Sequence, residues 1–501
     1  MAGKYGQAWR LALGVVLAGS SWGVLAAGQA WSEAPDDSTR VRSLPASAML
    51  GFERVRLPGD EHMGLLGASY VMELSPGWWL GPAVYGAATG QRGGLFTWGG
   101  EAQRRWRIGD EWGVVAGLYV GGGGGAAAPV GGGLMLRPHV DLMLNLGGWQ
   151  AGLTASQVRF PSGSISSTQL GVLLMVDDSF MHTAPGHAGQ QVPFRGRGGL
   201  GADRMEVTVG RYASGAGNGG SLGYVGLRLE QQAGQVLSPT LEAAGAAQGG
   251  ADGYAEMLGG LLAQWPVAGD RLRIGGRAAV GLGGGGAVAT GGGAIAKVAL
   301  SGRVQLSKRL SVELEAGQAR AFRGGFNTHY AQAAVGIALG SDLQGGGTWA
   351  PTQALHDMEW TIGMQDYRHA QRKDGSTRPL QAIGLKFNRS ISEHFYLSGQ
   401  ALSATHGGAG AYSVGLVGVG ATTRFGSGKA WSAGIEALVG AAGGGGVASQ
   451  GGAVTQPMAW IGRDLGRYTR LKIGAGYVKS VKGDLSTPVV DVGLSFAFGT
   501  P

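Results

Sequence analysis

The chain has 501 residues, of which 101 are glycine and none is cysteine, and its formal net charge is +8. Collagen is excluded because the glycines follow no strict three-residue period, and global disorder is excluded because 44% of the residues are hydrophobic. The lack of cysteine excludes a disulfide framework and any thiolate metal site.

The N-terminus has the pattern of a secretory signal peptide. Lys4 and Arg10 form a basic region, residues 11–25 form an apolar core, and small residues follow. We therefore predict a signal peptide over residues 1–30, cleaved between 26 and 30. A membrane anchor is the alternative, but the apolar stretch falls short of the ~20 residues that a spanning helix needs. The mature chain is expected to be exported.

Three units of similar sequence follow this segment. They run over residues 44–180, 197–341 and 352–498, and residues 181–196 and 342–351 read as linkers between them. Each unit contains one glycine-rich stretch, and equivalent glycines in successive units lie 160 residues apart. The glycines that define this spacing are Gly123, Gly283 and Gly443, and then Gly131, Gly291 and Gly451.

Within a unit, apolar residues alternate with polar residues or glycine. In residues 203–210, for example, Met205, Val207 and Val209 share one face, while Glu206 and Thr208 share the other. Turn signals divide each unit into about eight such strands, joined alternately by short turns and longer loops. Tryptophans lie near many strand ends, as in the aromatic girdles of membrane barrels. The pattern predicts an all-β, antiparallel transmembrane barrel.

The C-terminus carries the most specific motif. Asp491, Gly493, Phe496 and Phe498 follow the order polar, glycine, aromatic, aromatic, and a three-residue tail comes after them. This segment resembles the terminal β-signal of bacterial outer-membrane β-barrel proteins, which usually end on the aromatic residue itself. The resemblance implies a location in the bacterial outer membrane, contact with its lipids, and recognition by the barrel-assembly machinery.

The number of barrels is left open by the sequence. The last strands of the first two units lack both aromatics, which favours insertion of the whole chain as one object. The leading interpretation is therefore one barrel of about 24 strands built from three repeats of about eight. The alternative is three tandem eight-stranded barrels, which the linkers would permit.

Strand alternation also divides the charged residues between the two sides of the barrel wall. Three cations at one repeat position continue the lipid-facing row, and we expect them at the outer-leaflet interface: Arg159, Arg320 and Lys479. Residues of the other parity are candidates for a polar lumen: Glu206, Arg228, Glu230, Arg271, Arg273, Arg277, Glu313, Glu315, Glu359 and Lys472.

The glycine-rich stretches are expected to form the hairpin after the fifth strand of each unit. Loss of side chains lets the backbone bend sharply or approach another surface closely, at a cost of roughly 0.5 to 1 kcal/mol per glycine relative to alanine. We hypothesise that the three hairpins fold over or line the outer mouth and leave it flexible enough to gate.

A passive or secretion-type conduit is the leading functional interpretation, with the solute unspecified. A structural or adhesive surface protein made of three small barrels is the alternative, and a lipid- or peptide-cleaving enzyme is a more distant one. The histidines show no zinc-site spacing, and only His406, in the segment 403–408, is a candidate for catalysis on an outer loop. We expect no cofactor, no metal and no nucleic-acid partner.

Overall fold

A computed structural model describes residues 39–214, 220–269, 271–339, 343–344, 348–349 and 352–501. The predicted signal peptide lies outside these residues, as do parts of the second linker. The described helices are two short 3-10 segments, Pro58–Asp60 and Ser427–Lys429. No helix among the described residues is long and apolar enough to cross a membrane.

The first unit forms a closed antiparallel barrel of eight strands. Each strand pairs with the next along the chain, and the first pairs with the last from Arg42 opposite His182 to Glu53 opposite Gly171. The strands are β1 (Arg42–Arg56), β2 (His62–Ser75), β3 (Trp78–Thr89), β4 (Phe96–Ile108), β5 (Trp112–Gly124), β6 (Met135–Asn145), β7 (Trp149–Arg159) and β8 (Ser166–His182).

The second unit repeats this architecture as a separate closed barrel. Its first and last strands pair from Arg204 opposite Ala338 to Tyr212 opposite Tyr330. A short linker strand, β9 (Gln191–Pro193), precedes the barrel. The barrel strands are β10 (Arg204–Tyr212), β11 (Leu222–Glu230), β12 (Leu237–Gln248), β13 (Ala255–Ala268), β14 (Leu272–Gly284), β15 (Ala294–Gln305), β16 (Leu310–Ala321) and β17 (Asn327–Ala338).

The third unit closes in the same way, with Trp360 of its first strand opposite Phe496 of its last. Three short linker strands precede it: β18 (Leu343–Gln344), β19 (Thr348–Trp349) and β20 (Thr352–Ala354). The barrel strands are β21 (His356–Gln371), β22 (Thr377–Ser390), β23 (Phe395–His406), β24 (Ser413–Phe425), β25 (Trp431–Gly443), β26 (Ala453–Asp464), β27 (Thr469–Ser480) and β28 (Ser486–Thr500).

The prediction of an all-β antiparallel barrel protein, with about 24 strands in three groups of eight, is confirmed. The single large barrel is not formed, and the alternative of three small barrels is the observed arrangement. Three barrels form because the first strand of each unit pairs with the eighth strand of the same unit. Every strand edge is thereby paired without a closure between distant units.

The outer faces of the barrels are apolar. Leu153, Leu170, Leu300 and Leu314 are each more than 60% exposed, although they lie in the middle of regular strands. Exposed tryptophans cluster at the short-turn ends of the strands, at positions 78, 106, 112, 149, 265 and 431. An apolar belt bounded by tryptophans is the surface of a barrel in a bilayer. Trp460 departs from the predicted girdle, since it is buried and donates a hydrogen bond to the Tyr396 hydroxyl at 2.9 Å.

The three barrels contact one another through their glycine-rich hairpins. The hairpin between strands five and six of one barrel packs against the loop between strands three and four of another. Between the second and first barrels, Gly93 donates its amide hydrogen to the carbonyl oxygen of Gly291 at 2.8 Å. Between the first and third, Gly410 donates to the carbonyl oxygen of Gly131 at 3.2 Å. The chain thereby forms a ring with approximate threefold symmetry.

We call each hairpin contact between two barrels a seam. The third seam, between the second and third barrels, shows why close contact of the two backbones requires glycine. A Cβ atom added at Gly443 would lie 2.2 Å from the amide nitrogen of Gly253 in the opposite barrel, and one at Gly452 would lie 1.9 Å from the carbonyl oxygen of Ala246. The backbones are therefore in direct contact. A salt bridge of 2.8 Å between Asp252 and Lys373 also crosses this seam.

The hypothesis that the hairpins line one common mouth is thus replaced by a different arrangement. Each hairpin folds over the end of its own barrel and buries one valine there, Val130, Val288 or Val447. Gly131, Gly291 and Gly443 take part in the seams, whereas Gly123 and Gly283 make their close contacts within their own barrels. Gly451 lies at the seam with φ at 77°, and a Cβ atom there would lie 3.9 Å from the carbonyl oxygen of Ala247 in the second barrel.

At the opposite, short-turn side, the linkers and strand ends join the first and third barrels. The linker strands β9 and β20 pair with each other, and Thr183 exchanges two backbone hydrogen bonds with Gly499. Phe180, Trp360 and Phe498 pack edge to face with ring centroids 5.3–5.5 Å apart. The first and third barrels are therefore joined at both of their ends.

Substitution Gly443→Val tests the glycine seam. The side chain overlaps the backbone of Gly253, and we expect overpacking to cost about 1–3 kcal/mol and to separate the second and third barrels. Because the chain has no native cysteine, cross-linking of an Asp252→Cys/Lys373→Cys pair with a short bis-maleimide reports on the seam. Cross-linking should fall to background.

The matched control is Gly415→Val, because a Cβ atom at Gly415 meets nothing within 4 Å. It should cross-link like the parent. Equal cross-linking in both valine variants would show that the seam does not depend on glycine.

Candidate functional site

The interior of the second barrel contains a network of buried charges. Arg228, which is fully buried, donates to Glu206 at 2.6 Å, to Glu313 at 2.5 Å and to Glu315 at 2.9 Å. Residues on four other strands extend the network. Its members are the glutamates 206, 230, 242, 256, 313 and 315 and the cations Arg204, Arg228, Arg277, Lys297 and Arg303.

Inward-facing strand parity explains this network. Glu206 and Arg228 are directly opposite each other on β10 and β11, while Arg303 and Glu313 are opposite on β15 and β16. Cross-strand partners of opposite charge stabilise each other, and a buried ion left without a partner is costly. Six acids and five cations in one barrel therefore compensate one another almost completely, and this leaves little net charge to attract an ion.

Above the charges, toward the long loops, aromatic side chains close the second barrel. Tyr212 and Tyr254 both donate hydrogen bonds to Glu256, at 2.6 and 2.7 Å. Tyr224, Phe326 and Tyr330 pack around Tyr212, and all five rings are at least 96% buried. The lumen at this level is filled by side chains.

The first barrel has a smaller polar layer between two apolar ones. Arg137 pairs with Glu53 at 3.0 Å, and His139 lies between Glu101 at 2.5 Å and Asp141 at 2.9 Å. An apolar layer that includes Leu65, Phe160 and Ile165 covers this polar layer on the long-loop side, and one that includes Val71 and Met143 covers it on the other. A void of about 20 Å³ lies among these side chains, which is room for about one water molecule.

The third barrel combines buried ion pairs with a large apolar cluster. Glu359 accepts from Lys472 at 2.7 Å and from Arg470 at 2.8 Å, and Asp491 pairs with Lys386 at 2.5 Å. A cluster of eighteen buried hydrophobic residues fills most of its remaining interior. In the loop after β21, burial lowers the pKa of Arg372, whose guanidinium donates to the Gly407 carbonyl oxygen at 3.0 Å.

The structure places most of the predicted lumen residues inside the barrels, but not in a common lumen. Two arginines lie elsewhere: Arg271 is exposed in the turn before β14, and Arg273 lies at the short-turn end, where it donates to the Gln264 carbonyl oxygen at 3.1 Å. The remaining eight are buried, six in the second barrel and two in the third: Glu206, Arg228, Glu230, Arg277, Glu313, Glu315, Glu359 and Lys472.

Sequence reasoning missed the polar residues of the first barrel. Arg137, His139 and Asp141 occupy alternate positions of β6 and are all buried, whereas Val140 and Leu142 between and after them are exposed. The period-two pattern that identified the second barrel would have found them. The same pattern, applied to every strand of the second barrel, would also have found four missed residues: Glu242, Glu256, Lys297 and Arg303.

Most of the other predicted residues lie outside the barrel interiors or at the seams between barrels. Arg159, Arg320 and Lys479 are exposed at or near the long-loop ends of their strands. His406 ends β23 at the seam with the first barrel, where a Cβ atom on Gly132 would lie 3.1 Å from its Cα. In the C-terminal motif, Asp491 points inward, whereas Phe498 is buried against Phe180 of the first barrel.

Among known proteins, only solved structures align with the chain, and they do so at low similarity. No protein-family model matches the chain, and no curated protein matches it. Solved structures that align with it include the outer membrane protein OpdK of Pseudomonas aeruginosa, at 8% identity, covering 91% of this chain and 99% of that one, with a TM-score of 0.22.

Two further solved structures align to a similar extent. OpdQ of Pseudomonas aeruginosa is 10% identical, with 92% of this chain and 98% of that chain covered and a TM-score of 0.21. OccAB3 of Acinetobacter baumannii is 8% identical, with 92% and 99% covered and a TM-score of 0.21. TM-scores this low do not establish a shared topology or activity.

Substitution Arg228→Met tests the charge network. It leaves three buried glutamates without their shared partner, and we expect a loss of about 3–5 kcal/mol in the free energy of unfolding, as for other broken buried ion pairs. Urea unfolding in lipid vesicles, followed by the gel mobility of the folded barrel, measures the change.

Arg271→Met is the matched control, since it makes the same change in the same barrel at an exposed turn. It should alter the free energy of unfolding by no more than about 0.5 kcal/mol. A similar loss in the two variants would contradict the assignment of the network as the source of stability.

Proposed function

We propose that the chain is an outer-membrane structural protein that holds three side-chain-filled barrels in a fixed ring and presents their long loops on the outer surface. The observation that carries the proposal is the filled interior of the second barrel, where buried ion pairs and five aromatic rings occupy the space that a conduit would need. Eight strands enclose a space just wide enough for side chains.

The membrane location rests on features of the chain itself. The apolar outer faces and the exposed tryptophans at the short-turn ends support insertion in a bilayer. The predicted signal peptide supports export, and the C-terminal motif supports recognition by the barrel-assembly machinery. The exposed positions of Arg159, Arg320 and Lys479 near the long-loop ends support contact with lipid phosphates in the outer leaflet.

The ring supports a structural function in preference to an enzymatic one. Its three glycine seams and the aromatic cluster at the opposite end fix the barrels relative to one another. The long loops of three barrels are thereby held together as one outer surface.

A conduit is the second candidate function, and conductance in planar bilayers distinguishes it from the structural proposal. The purified full chain should insert without producing large conductance steps, because each interior is packed with side chains. The expected result is a current trace close to that of the bare bilayer.

The matched control is Gly443→Val, which opens a seam but leaves the interiors filled, and it should also fail to conduct. Large, steady steps in the parent would contradict the structural proposal and favour the conduit. Steps that occur only in Gly443→Val would locate a path between barrels, which the intact ring closes.

A further inference from the structure

A polar cleft of about 580 Å³ lies on the long-loop side between the second and third barrels. The second barrel contributes Arg211, Ser221 and Gln248 to its lining, and the third contributes Gln450 and Lys482. Glycines at positions 223, 249 and 451 complete the lining. The cleft therefore spans the seam, and each barrel supplies one cation.

No carboxylate is among the described residues that line this cleft. Among the described residues, neither Arg211 nor Lys482 forms an ion pair, whereas Lys373 at the same seam pairs with Asp252. Arg211 donates to the Ser221 hydroxyl oxygen at 2.7 Å, which fixes its guanidinium at the edge of the cleft. Two cations with amide donors beside them and no acid between them form a site for an anion.

The cleft continues into an apolar surface toward the middle of the second barrel. An adjoining cavity shares Arg211 and Gln248 with the cleft and is also lined by Val209 and Val225. Both valines lie on the outer face of the barrel, and Val209 is 57% exposed. A ligand that occupies both regions would have an anionic head and an apolar tail.

The pair of cations is not present at every seam. In the repeat alignment, the first unit has Ser162 at the position of Lys482, and the third unit has Met364 at the position of Arg211. The seam between the third and first barrels therefore lacks both charges. The seam between the first and second barrels has a cation at each corresponding position, because Arg323 aligns with Lys482 and Arg54 lies opposite Gly64 as Arg211 lies opposite Gly223. The cation pair is therefore absent from one seam of the three.

We propose that the cleft binds the phosphate-bearing headgroup of an outer-leaflet lipid, with an acyl chain against Val209 and Val225. Arg211 and Lys482 hold the phosphate from opposite barrels, and Gln248 and Gln450 donate to its remaining oxygens or to the adjacent sugar or glycerol oxygens. The proposal rests on the membrane location proposed above. The lipid would then connect the second and third barrels at the bilayer surface.

The test measures lipid binding to the folded full chain by native mass spectrometry, with bisphosphorylated lipid A as the probe. Removing both charges in Arg211→Gln/Lys482→Gln should weaken binding about thirty-fold, since each cation near a lipid surface contributes about 1 kcal/mol. The control Arg107→Gln/Lys308→Gln removes two exposed cations on the short-turn side and should bind like the parent.

Two further arms identify the source of the phosphate. Inorganic phosphate should compete only weakly, and Val209→Gln/Val225→Gln should weaken lipid binding while leaving phosphate binding unchanged. Equal lipid binding in the charge variant and its control would overturn the site. Inorganic phosphate that binds as tightly as the lipid would overturn its assignment to a lipid.

Flotation with lipid vesicles keeps this proposal separate from the proposed function. Every variant is first checked for the gel mobility of the folded barrel and for flotation. Protein that folds but does not float contradicts the membrane location. Protein that floats but binds lipid A no better than the charge variant contradicts only the headgroup site.

Discussion

The pairing of the first strand of each unit with the last is the constraint on which the rest of the structure depends. In a bilayer, each backbone amide and carbonyl at an open edge lacks water as a partner, so a sheet must close on itself. Closing after eight strands sets a narrow radius, and that radius excludes a water-filled lumen. The inward side chains must then satisfy one another.

The second barrel shows how far that requirement extends. Its buried acids and cations lie on different strands, so each ion pair also fixes the position of one strand relative to another. A one-residue slip would turn Arg228 outward and leave its glutamates unpaired. The third barrel meets the same requirement with fewer ion pairs and a cluster of eighteen hydrophobic residues. Two chemical solutions therefore fill barrels of the same strand number.

Much of this fold could be predicted from the sequence, because strand alternation and the glycine spacing are local patterns. They identified the three units, the eight strands in each, and the inward orientation of residues such as Glu206 and Arg228. The closure of each barrel could not be predicted, because one barrel of 24 strands has the same alternation as three of eight. The decision depends on which edges meet, and that is a long-range property of the backbone.

The site was less predictable than the fold, because it too depends on more than strand alternation. Parity assigns a residue to one face, but it does not say whether a strand end is inside the barrel, and Arg271 is exposed for that reason. The seams could not be predicted either, since they join segments more than a hundred residues apart. Glycine at position 443 indicated a close approach, but only the structure identifies Gly253 as the surface approached.

The ring of barrels has a consequence for how such a chain can diversify. In an assembly of three identical subunits, one substitution alters three equivalent places at once. In this chain, separate codons specify the residues of each of the three seams, so each seam can change on its own. Two features show this inequivalence. The cation pair between the second and third barrels is absent between the third and first, and the interior of the second barrel contains more buried ion pairs than that of the third. Fusion into one polypeptide thus permits a pseudo-trimer whose three seams can differ in their charges.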